Sequence, residues 1–137
     1  MATRSNIGYT LPTGEIRMIY CHYDGYPEHN GRILQEHYSS QERVEELVSF
    51  GDMSILAQNP GMPHQPGHSF DSPEKGICVY YGRDRKETGT EPQTAPDSEE
   101  SRQEEYLYVW DGHAWRVCSW QWDGWKPLAE VLESVSA

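Results

Sequence analysis

The sequence has no long hydrophobic run. Only 36% of its 137 residues are hydrophobic. Nowhere do about eighteen apolar residues stand together, as a membrane-spanning helix requires. The N-terminal residues carry no apolar stretch after Arg4 of the kind that a secretory signal has. We therefore expect a soluble intracellular protein that makes no contact with a membrane.

Basic residues are also scarce. Lysine and arginine together number 11, against 22 aspartates and glutamates, so the net charge is -11 at pH 7. A field of this sign repels the phosphate backbone of nucleic acids unless a local basic patch reverses it. Free DNA or RNA is therefore not an expected partner.

Cysteine is rare, and the sequence lacks the usual metal-binding spacings. Cys21, Cys78 and Cys118 are widely separated, which fits reduced thiols used as small apolar side chains in a cytosolic protein. No CxxC or HExxH motif occurs, and His64 and His68 lie on a loop rich in proline and glycine, where a spacing of four does not align two imidazoles. We predict no metal site and no cofactor.

A catalytic nucleophile is missing as well. The one adjacent cysteine and histidine, Cys21 and His22, lie at the end of a predicted strand. Neighbouring residues of a strand point to opposite faces, so these two side chains are not expected to bond to each other. We predict that the protein is not an enzyme, and we rank catalysis by Cys21 or His22 last among the alternatives.

Aromatic residues, in contrast, are abundant. Nine tyrosines and five tryptophans indicate a core built from a few large side chains. A chain of 137 residues has the usual length of one domain. We therefore treat residues 1–137 as a single globular domain.

Two β-hairpins are predicted from alternating side chains. In the first, a turn at Pro12, Thr13 and Gly14 pairs Tyr9 with Arg17 and Ile7 with Ile19. The pairing places Ile7, Tyr9, Ile19 and Cys21 on one face and Ile16, Met18 and Tyr20 on the other. Both faces of this hairpin are therefore expected to be largely apolar.

The second hairpin spans residues 105–119, with Asp111 and Gly112 as its turn signal. Strand parity puts Leu107, Val109, Arg116 and Cys118 on one face. The other face carries Tyr106, Tyr108, Trp110, Trp115 and Val117. We interpret that aromatic face as a binding surface for a partner.

Helical patterns lie between the hairpins and at the C-terminal end. The first begins near Asn30 and contains Ile33, Leu34, His37 and Tyr38. The second is expected to be capped by Ser39, with Glu42 completing a capping box, and to end at Gly51. Pro127 opens a short final helix with Leu128, Val131, Leu132 and Val135 at helical spacing.

Residues 77–81 form a dense β-branched and aromatic run, which predicts a central strand. Residues 57–75 and 83–104 show no periodicity and are expected to be flexible loops. The predicted fold is thus α+β. It has an antiparallel sheet of about five strands, two helices between the hairpins and a short C-terminal helix.

The turn between the first hairpin and the first helix is a candidate binding site. It combines aromatic, charged and backbone-permissive residues, namely Tyr23, Asp24, Tyr26, Asn30 and Arg32. Ligands often bind at such junctions, and free N–H groups at a helix start favour an anion. The alternative is that the tyrosines cover the hairpin and Asn30 caps the helix.

A second candidate is the cluster of residues 83–86, which is the one local concentration of basic residues in the sequence. Arg83 and Arg85 are suited to a phosphate or to an acidic partner surface. The alternative is that they pair with nearby acids such as Asp84 and Glu87. Whether this cluster meets the turn of residues 22–32 in one cleft does not follow from the sequence.

Several segments together resemble small uncharacterised accessory proteins of tailed bacteriophages. They are residues 5–9 (SNIGY), 19–27 (IYCHYDGYP), 79–85 (VYYGRDR), 88–90 (TGT) and 106–108 (YLY), with Asn30, Gly31, Ile33, Leu34, His37 and Tyr38 between them. The resemblance implies an early-infection or accessory product that acts in the host cytoplasm. It implies no active site, so no functional residue is carried over.

From these features we expect a non-catalytic phage protein that binds and blocks a host factor, for instance an anti-CRISPR protein that acts against a defence system. The negative field and the aromatic face of Tyr108, Trp110 and Trp115 favour this reading. A small-ligand binder that sequesters a nucleotide-type signal is one alternative. It would use Tyr23, Tyr26, Arg32, Arg83 and Arg85. Two further alternatives stay open, namely that the protein is a component of the virion and that it forms a homo-oligomer.

Overall fold

The computed structural model describes residues 2–136, which form an α+β fold around one eight-stranded sheet. The strands are β1 Ser5–Thr10, β2 Ile16–Cys21, β3 Met53–Ile55, β4 Val79–Tyr80, β5 Gln93–Ala95, β6 Tyr106–Trp110, β7 Trp115–Ser119 and β8 Lys126–Pro127. Their order is β4-β3-β2-β1-β6-β7-β8, and β5 pairs with β2 beside β3. The α+β class is confirmed, but the predicted number of about five strands is wrong.

Both predicted hairpins are present in the expected register. Ile7 lies opposite Ile19 and Tyr9 opposite Arg17 in β1 and β2. In β6 and β7, Tyr108 pairs with Val117 and Trp110 with Trp115, around a four-residue turn. The turns form where Gly14 and Gly112 adopt positive φ angles of 91° and 101°. Local alternation and turn chemistry are therefore enough to form these two units.

The sheet is mixed, which corrects the prediction of an antiparallel sheet. The two hairpins meet through β1 and β6, which run parallel with Ser5 opposite Tyr106 and Tyr9 opposite Trp110. A second parallel contact joins Cys21 of β2 to Met53 of β3. Parallel neighbours need a long connection between them, and here the helices and loops between residues 22 and 105 supply it.

The strand predicted at the centre of the sheet lies at its edge. Only Val79 and Tyr80 form β4, which pairs with β3, and the chain then turns at once into a short helix, Tyr81–Arg85. Cys78, Val79 and Tyr80 are nevertheless buried. The apolar composition of residues 77–81 thus reflects burial, and the prediction of a central strand was wrong.

Helices cover one face of the sheet. A π-helical turn at Pro27–Gly31 continues into α1 Arg32–His37, α2 Gln41–Ser49 follows, α3 is the short helix Tyr81–Arg85, and α4 is Leu128–Ser136. Ser40, and not the predicted Ser39, caps α2, because its hydroxyl accepts a hydrogen bond from the N–H of Arg43 at 3.3 Å. The main core lies between these helices and the sheet, and it contains Ile7, Leu34, Leu47, Tyr108, Trp115 and Leu128 among others.

On the opposite face of the sheet lie Ala95, Trp125 and residues 96–104, which we call the strap. A smaller core lies beneath them, formed by Ile16, Met18, Leu107, Val109 and Cys118. The strap is attached by Asp97, which pairs with Arg116 at 2.5 Å, and by the backbone N–H of Gln103, which donates to Asn6 Oδ1 at 3.1 Å. The segment expected to be a plain loop at 83–104 therefore contains helix, strand and a cover for the sheet.

The helices of residues 2–136 are short, and none of them is long and apolar enough to cross a membrane. The longest two, α2 and α4, have nine residues each. Each buries one apolar stripe against the sheet: Val44, Leu47 and Val48 in α2, and Leu128, Val131 and Leu132 in α4.

Candidate functional site

The turn after β2 is held by backbone contacts. The N–H of Tyr23 donates to Ser54 O at 3.0 Å, and the N–H of Gly25 donates to Thr3 O at 2.8 Å. Asp24 has a positive φ of 57°, an uncommon conformation for a residue other than glycine. The turn is thereby fixed against β3 and the N-terminal segment, and the Tyr23 side chain is left 45% exposed.

Asn30 has an internal role in this turn. Its side chain is buried, and its Nδ2 donates to Tyr23 O at 3.1 Å and to Cys21 Sγ at 3.4 Å. Its Oδ1 lies 2.9 Å from His29 Nδ1. All the polar atoms of the amide are thus engaged within the protein, so Asn30 stabilises the turn and does not face a ligand.

Tyr26 and Arg32 point to other parts of the surface. The Tyr26 ring packs against His29 with 6.1 Å between centroids and remains 37% exposed. Arg32 is half-buried and lines a shallow concavity between α1 and α4 together with Gln35, Leu132 and Glu133. The five candidates of residues 22–32 therefore do not form one site.

Arg83 is also an internal residue. Its guanidinium donates to Asp84 Oδ1 at 2.9 Å, to Cys78 O at 2.8 Å and to Pro60 O at 2.5 Å. It lies over the Tyr80 ring at 4.8 Å, and only 6% of its side chain is exposed. The expectation that Arg83 binds a phosphate or a partner is wrong, because its donors are used to fasten the loop of residues 57–75 to α3.

Arg85, two residues further on, is at the surface. Its guanidinium lies 4.4 Å from the centroid of Phe70 and 5.2 Å from that of Tyr81, and its side chain is 50% exposed. Glu87 forms an ion pair with it. The two rings and the carboxylate hold the guanidinium in one place, while half of the Arg85 side chain stays accessible.

Tyr23 and Arg85 are brought together by β3. The backbone carbonyl of Ser54 accepts from the N–H of Tyr23, and the Ser54 hydroxyl bonds to the side chain of Tyr81, which lies under Arg85. The turn of residues 22–32 and the helix α3 thus converge in part, because Ser54 bonds both to Tyr23 of the turn and to Tyr81 of α3.

A hydrogen-bonded tyrosine and histidine extend this area along β2. Tyr20 Oη lies 2.5 Å from His22 Nδ1, and the His22 ring packs edge-on against Tyr23 with centroids 4.5 Å apart. Burial raises the pKa of Tyr20, with an opposing effect from Arg4, and burial also raises the pKa of Tyr81 against the effects of Ser54 and Arg85. Both phenols are therefore neutral at pH 7.

We call this area the Tyr23–Arg85 surface; it consists of Tyr20, His22, Tyr23, Phe70, Tyr81 and Arg85. Sequence reasoning identified Tyr23 and Arg85 but missed Tyr20, Phe70 and Tyr81. The local signal that could have found Tyr20 is strand parity, which puts it with His22 on one face of β2. Phe70 and Tyr81 are 50 and 61 residues from Tyr20, and no local pattern joins them to it.

The aromatic face of the second hairpin is in the core. Tyr108, Trp110 and Trp115 are exposed by 0%, 4% and 2%, so the prediction that they present a binding surface is wrong. Their polar atoms are bonded internally: Tyr108 Oη to Gly25 O, Trp110 Nε1 to Gln41 Oε1 and Trp115 Nε1 to Tyr38 O, at 2.6, 3.0 and 2.9 Å. The helices α1, α2 and α4 pack over this face. Strand parity predicts which side chains share a face, but it does not predict whether other elements cover that face.

The thiols are poorly suited to nucleophilic chemistry. Burial, followed by the nearby Cys78, raises the pKa of Cys21 to about 12, and burial raises the pKa of Cys118 to about 11. Cys21 Sγ is 3.4 Å from Asn30 Nδ2, while His22, on the opposite face of β2, bonds to Tyr20. Across residues 2–136, no three His, Cys, Asp or Glu side chains are grouped so as to hold a metal ion.

Comparison with known proteins gives no relative for this chain, since no protein-family model, curated protein or solved structure matches it.

Proposed function

We propose that this chain is a bacteriophage accessory protein that acts in the host cytoplasm by binding and blocking a host protein, for instance a component of an antiviral defence system as an anti-CRISPR protein would. One observation carries the proposal. The Arg85 guanidinium packs on the rings of Phe70 and Tyr81, which contact each other with centroids 5.7 Å apart, and Tyr81 is near Tyr23 and the Tyr20–His22 pair.

The residue types of the Tyr23–Arg85 surface support this proposal. Tyrosine and arginine are among the residues that contribute most binding free energy at protein interfaces, particularly where packing holds them in place. The Tyr23 ring packs edge-on against His22, and the Arg85 guanidinium is held by two rings and an ion pair. Little side-chain entropy remains to be lost when a partner binds.

The nucleotide-sequestering alternative has weaker support. Of the five residues expected to hold such a ligand, Arg83 is internal, and Tyr26 and Arg32 lie elsewhere on the surface. Only Tyr23 and Arg85 of these five share one area of the surface. The Arg85 guanidinium already forms an ion pair with Glu87, which competes with a phosphate. A protein partner, which can contact the whole surface, suits this arrangement better.

The test begins with a photo-reactive amino acid placed at position 23 in one protein and at position 26 in a matched control. Tyr26 is a tyrosine of similar exposure on the same turn, but it packs on His29 and not on the Tyr23–Arg85 surface. After irradiation in bacterial cells, we expect a host protein cross-linked at position 23 and not at position 26.

The partner identified in this way is then purified and its dissociation constant measured. We expect Tyr23→Ala and Arg85→Gln each to weaken binding by roughly thirtyfold, which is about 2 kcal/mol at an interface hot spot. Tyr26→Ala and Lys86→Gln serve as matched controls and should bind as the parent protein does. Equal affinity for all four variants would contradict the proposal, as would equal cross-linking at both positions.

A further inference from the structure

Trp120 is the most exposed large hydrophobic side chain among residues 2–136, with 64% of its surface accessible. The other four tryptophans differ from it. Trp110 and Trp115 lie in the core, and Trp122 and Trp125 are half-buried beneath Lys126 and Arg116. Burying an indole on binding removes a large apolar area from water, which makes Trp120 a natural anchor for a partner.

The turn that carries Trp120 is held on both sides. The Nε2 of Gln121 donates to Glu105 Oε2 and to Tyr106 Oη, both at 2.8 Å. The N–H of Gly124 donates to Glu99 Oε1 at 2.8 Å. Because these bonds fix the chain before and after Trp122, Trp120 is presented by an ordered turn and little ordering is needed when it binds.

The charges around this turn are mostly negative. Glu99 and Glu105 bond to the turn itself, Asp123 lies within it, and Glu100 and Glu104 are neighbours in the strap. The cations close by are Arg102, whose guanidinium donates to Glu104 O, Lys126, which lies over Trp122, and Arg116, which lies over Trp125 and pairs with Asp97. With Asp97 included, six carboxylates against these three cations give a local field of the same sign as the net charge of -11.

We infer that the Trp120 turn docks a lysine- or arginine-rich segment of a protein partner. A basic side chain placed over the exposed indole gains a cation–π contact, and its neighbours along the segment meet the carboxylates of Asp123 and the strap. This site lies on the turn between β7 and β8, and its residues are distinct from those of the Tyr23–Arg85 surface. It does not depend on the function proposed there.

The probe is a fluorescein-labelled oligolysine peptide, with the same peptide acetylated on its amines as the neutral control. Fluorescence anisotropy with the full chain at low ionic strength should show binding of the charged probe alone, weakening as salt is added. We expect Trp120→Ala to reduce the affinity about tenfold, and Trp120→Phe to restore part of it.

Charge variants separate docking from general attraction between a polycation and an acidic protein. Asp123→Asn removes one negative charge from the turn, and Glu42→Gln removes one from the exposed first turn of α2, away from Trp120. The proposal requires a clearly larger loss of affinity for Asp123→Asn. It is overturned if the charged probe does not bind, if Trp120→Ala binds it as well as the parent protein, or if the two charge variants weaken binding equally.

Discussion

Four donor atoms surround the buried carboxylate of Asp84. Two come from Arg83, one is the N–H of Tyr80, and one is His68 Nε2, at distances between 2.8 and 3.1 Å. His68 Nδ1 accepts from the N–H of Glu74 at 2.9 Å, so the proton of a neutral imidazole is on Nε2 and points to Asp84. A single carboxylate therefore joins α3 to the long loop of residues 57–75.

Replacing Asp84 with asparagine should destabilise the fold strongly. The side chains of Arg83 and Asp84 are only 6% and 4% exposed, so Asp84→Asn leaves a buried guanidinium without its counter-ion. We expect a loss of about 3–5 kcal/mol in the free energy of unfolding, measured by urea denaturation. Glu87→Gln, at the exposed ion pair with Arg85, is the matched control and should cost less than about 1 kcal/mol.

The same variant has a defined pH dependence. Burial alone raises the pKa of Asp84, but the hydrogen bonds from Arg83 and Tyr80, with the Arg83 charge, outweigh burial and lower the pKa. A lowered pKa means that the stabilisation is present above the unfolded value and is lost as the pH falls through the folded one. The difference between parent and Asp84→Asn should therefore shrink in acid; a difference that stays constant would contradict this account.

At the scale of the elements, the sequence predicts both hairpins but not the pairing of β1 with β6 that brings them into one sheet. Alternating side chains and a turn glycine specify the register of β1 with β2 and of β6 with β7. The parallel pairing of β1 with β6 joins segments about a hundred residues apart, and no local pattern encodes it. The sequence does not predict strand β5, because Gln93 and Thr94 are polar and prolines flank the strand on both sides.

For the candidate site, too, the local sequence predicts one part and not the whole. Aromatic and charged residues that directly follow a strand predict a binding site at the turn of residues 22–32. Its convergence with α3 depends on Ser54 and Tyr81, which reach it through the tertiary fold. The sequence does not distinguish Arg83 from Arg85. In the structure, the Arg83 side chain is buried and the Arg85 side chain is half-exposed.

The junction between α2 and β3 depends on a glycine. Gly51 has a φ of +85°, and a Cβ built there would lie 2.2 Å from Thr90 O, which accepts the N–H of Asp52. Gly51→Ala should therefore lose about 1–2 kcal/mol of stability for the left-handed conformation, and more because the backbone at Thr90 must move. Thermal denaturation against Gly89→Ala, at a φ of +75° with open space around it, isolates the second contribution. Equal losses would show that the contact with Thr90 is unimportant.

At the scale of the whole molecule, the sheet has a core on each face, and each core contains cysteine. Cys21 and Cys78 belong to the core under the helices, and Cys118 belongs to the core under the strap. All three thiols are buried and free. They therefore report separately on how the two layers open.

If residues 1–137 unfold as one cooperative domain, the three thiols should react with a soluble disulfide reagent in a single phase at the rate of global unfolding. Raised pKa values for Cys21 and Cys118, about 12 and about 11, keep both protonated at pH 8 until the chain opens. Mass spectrometry of the labelled peptides measures each site. Earlier labelling of Cys118 would instead mean that the strap detaches by itself.

The pairing of β1 with β6 also determines when the sheet can form during synthesis. The first hairpin leaves the ribosome well before residues 106–110, which form its neighbour on the other edge of β1. Until those residues emerge, the backbone of β1 has an open edge, and both apolar faces of the hairpin lack their final cover. A nascent chain halted before residue 106 should accordingly be a client of ribosome-associated chaperones, and one from which residues 1–137 have all emerged should not.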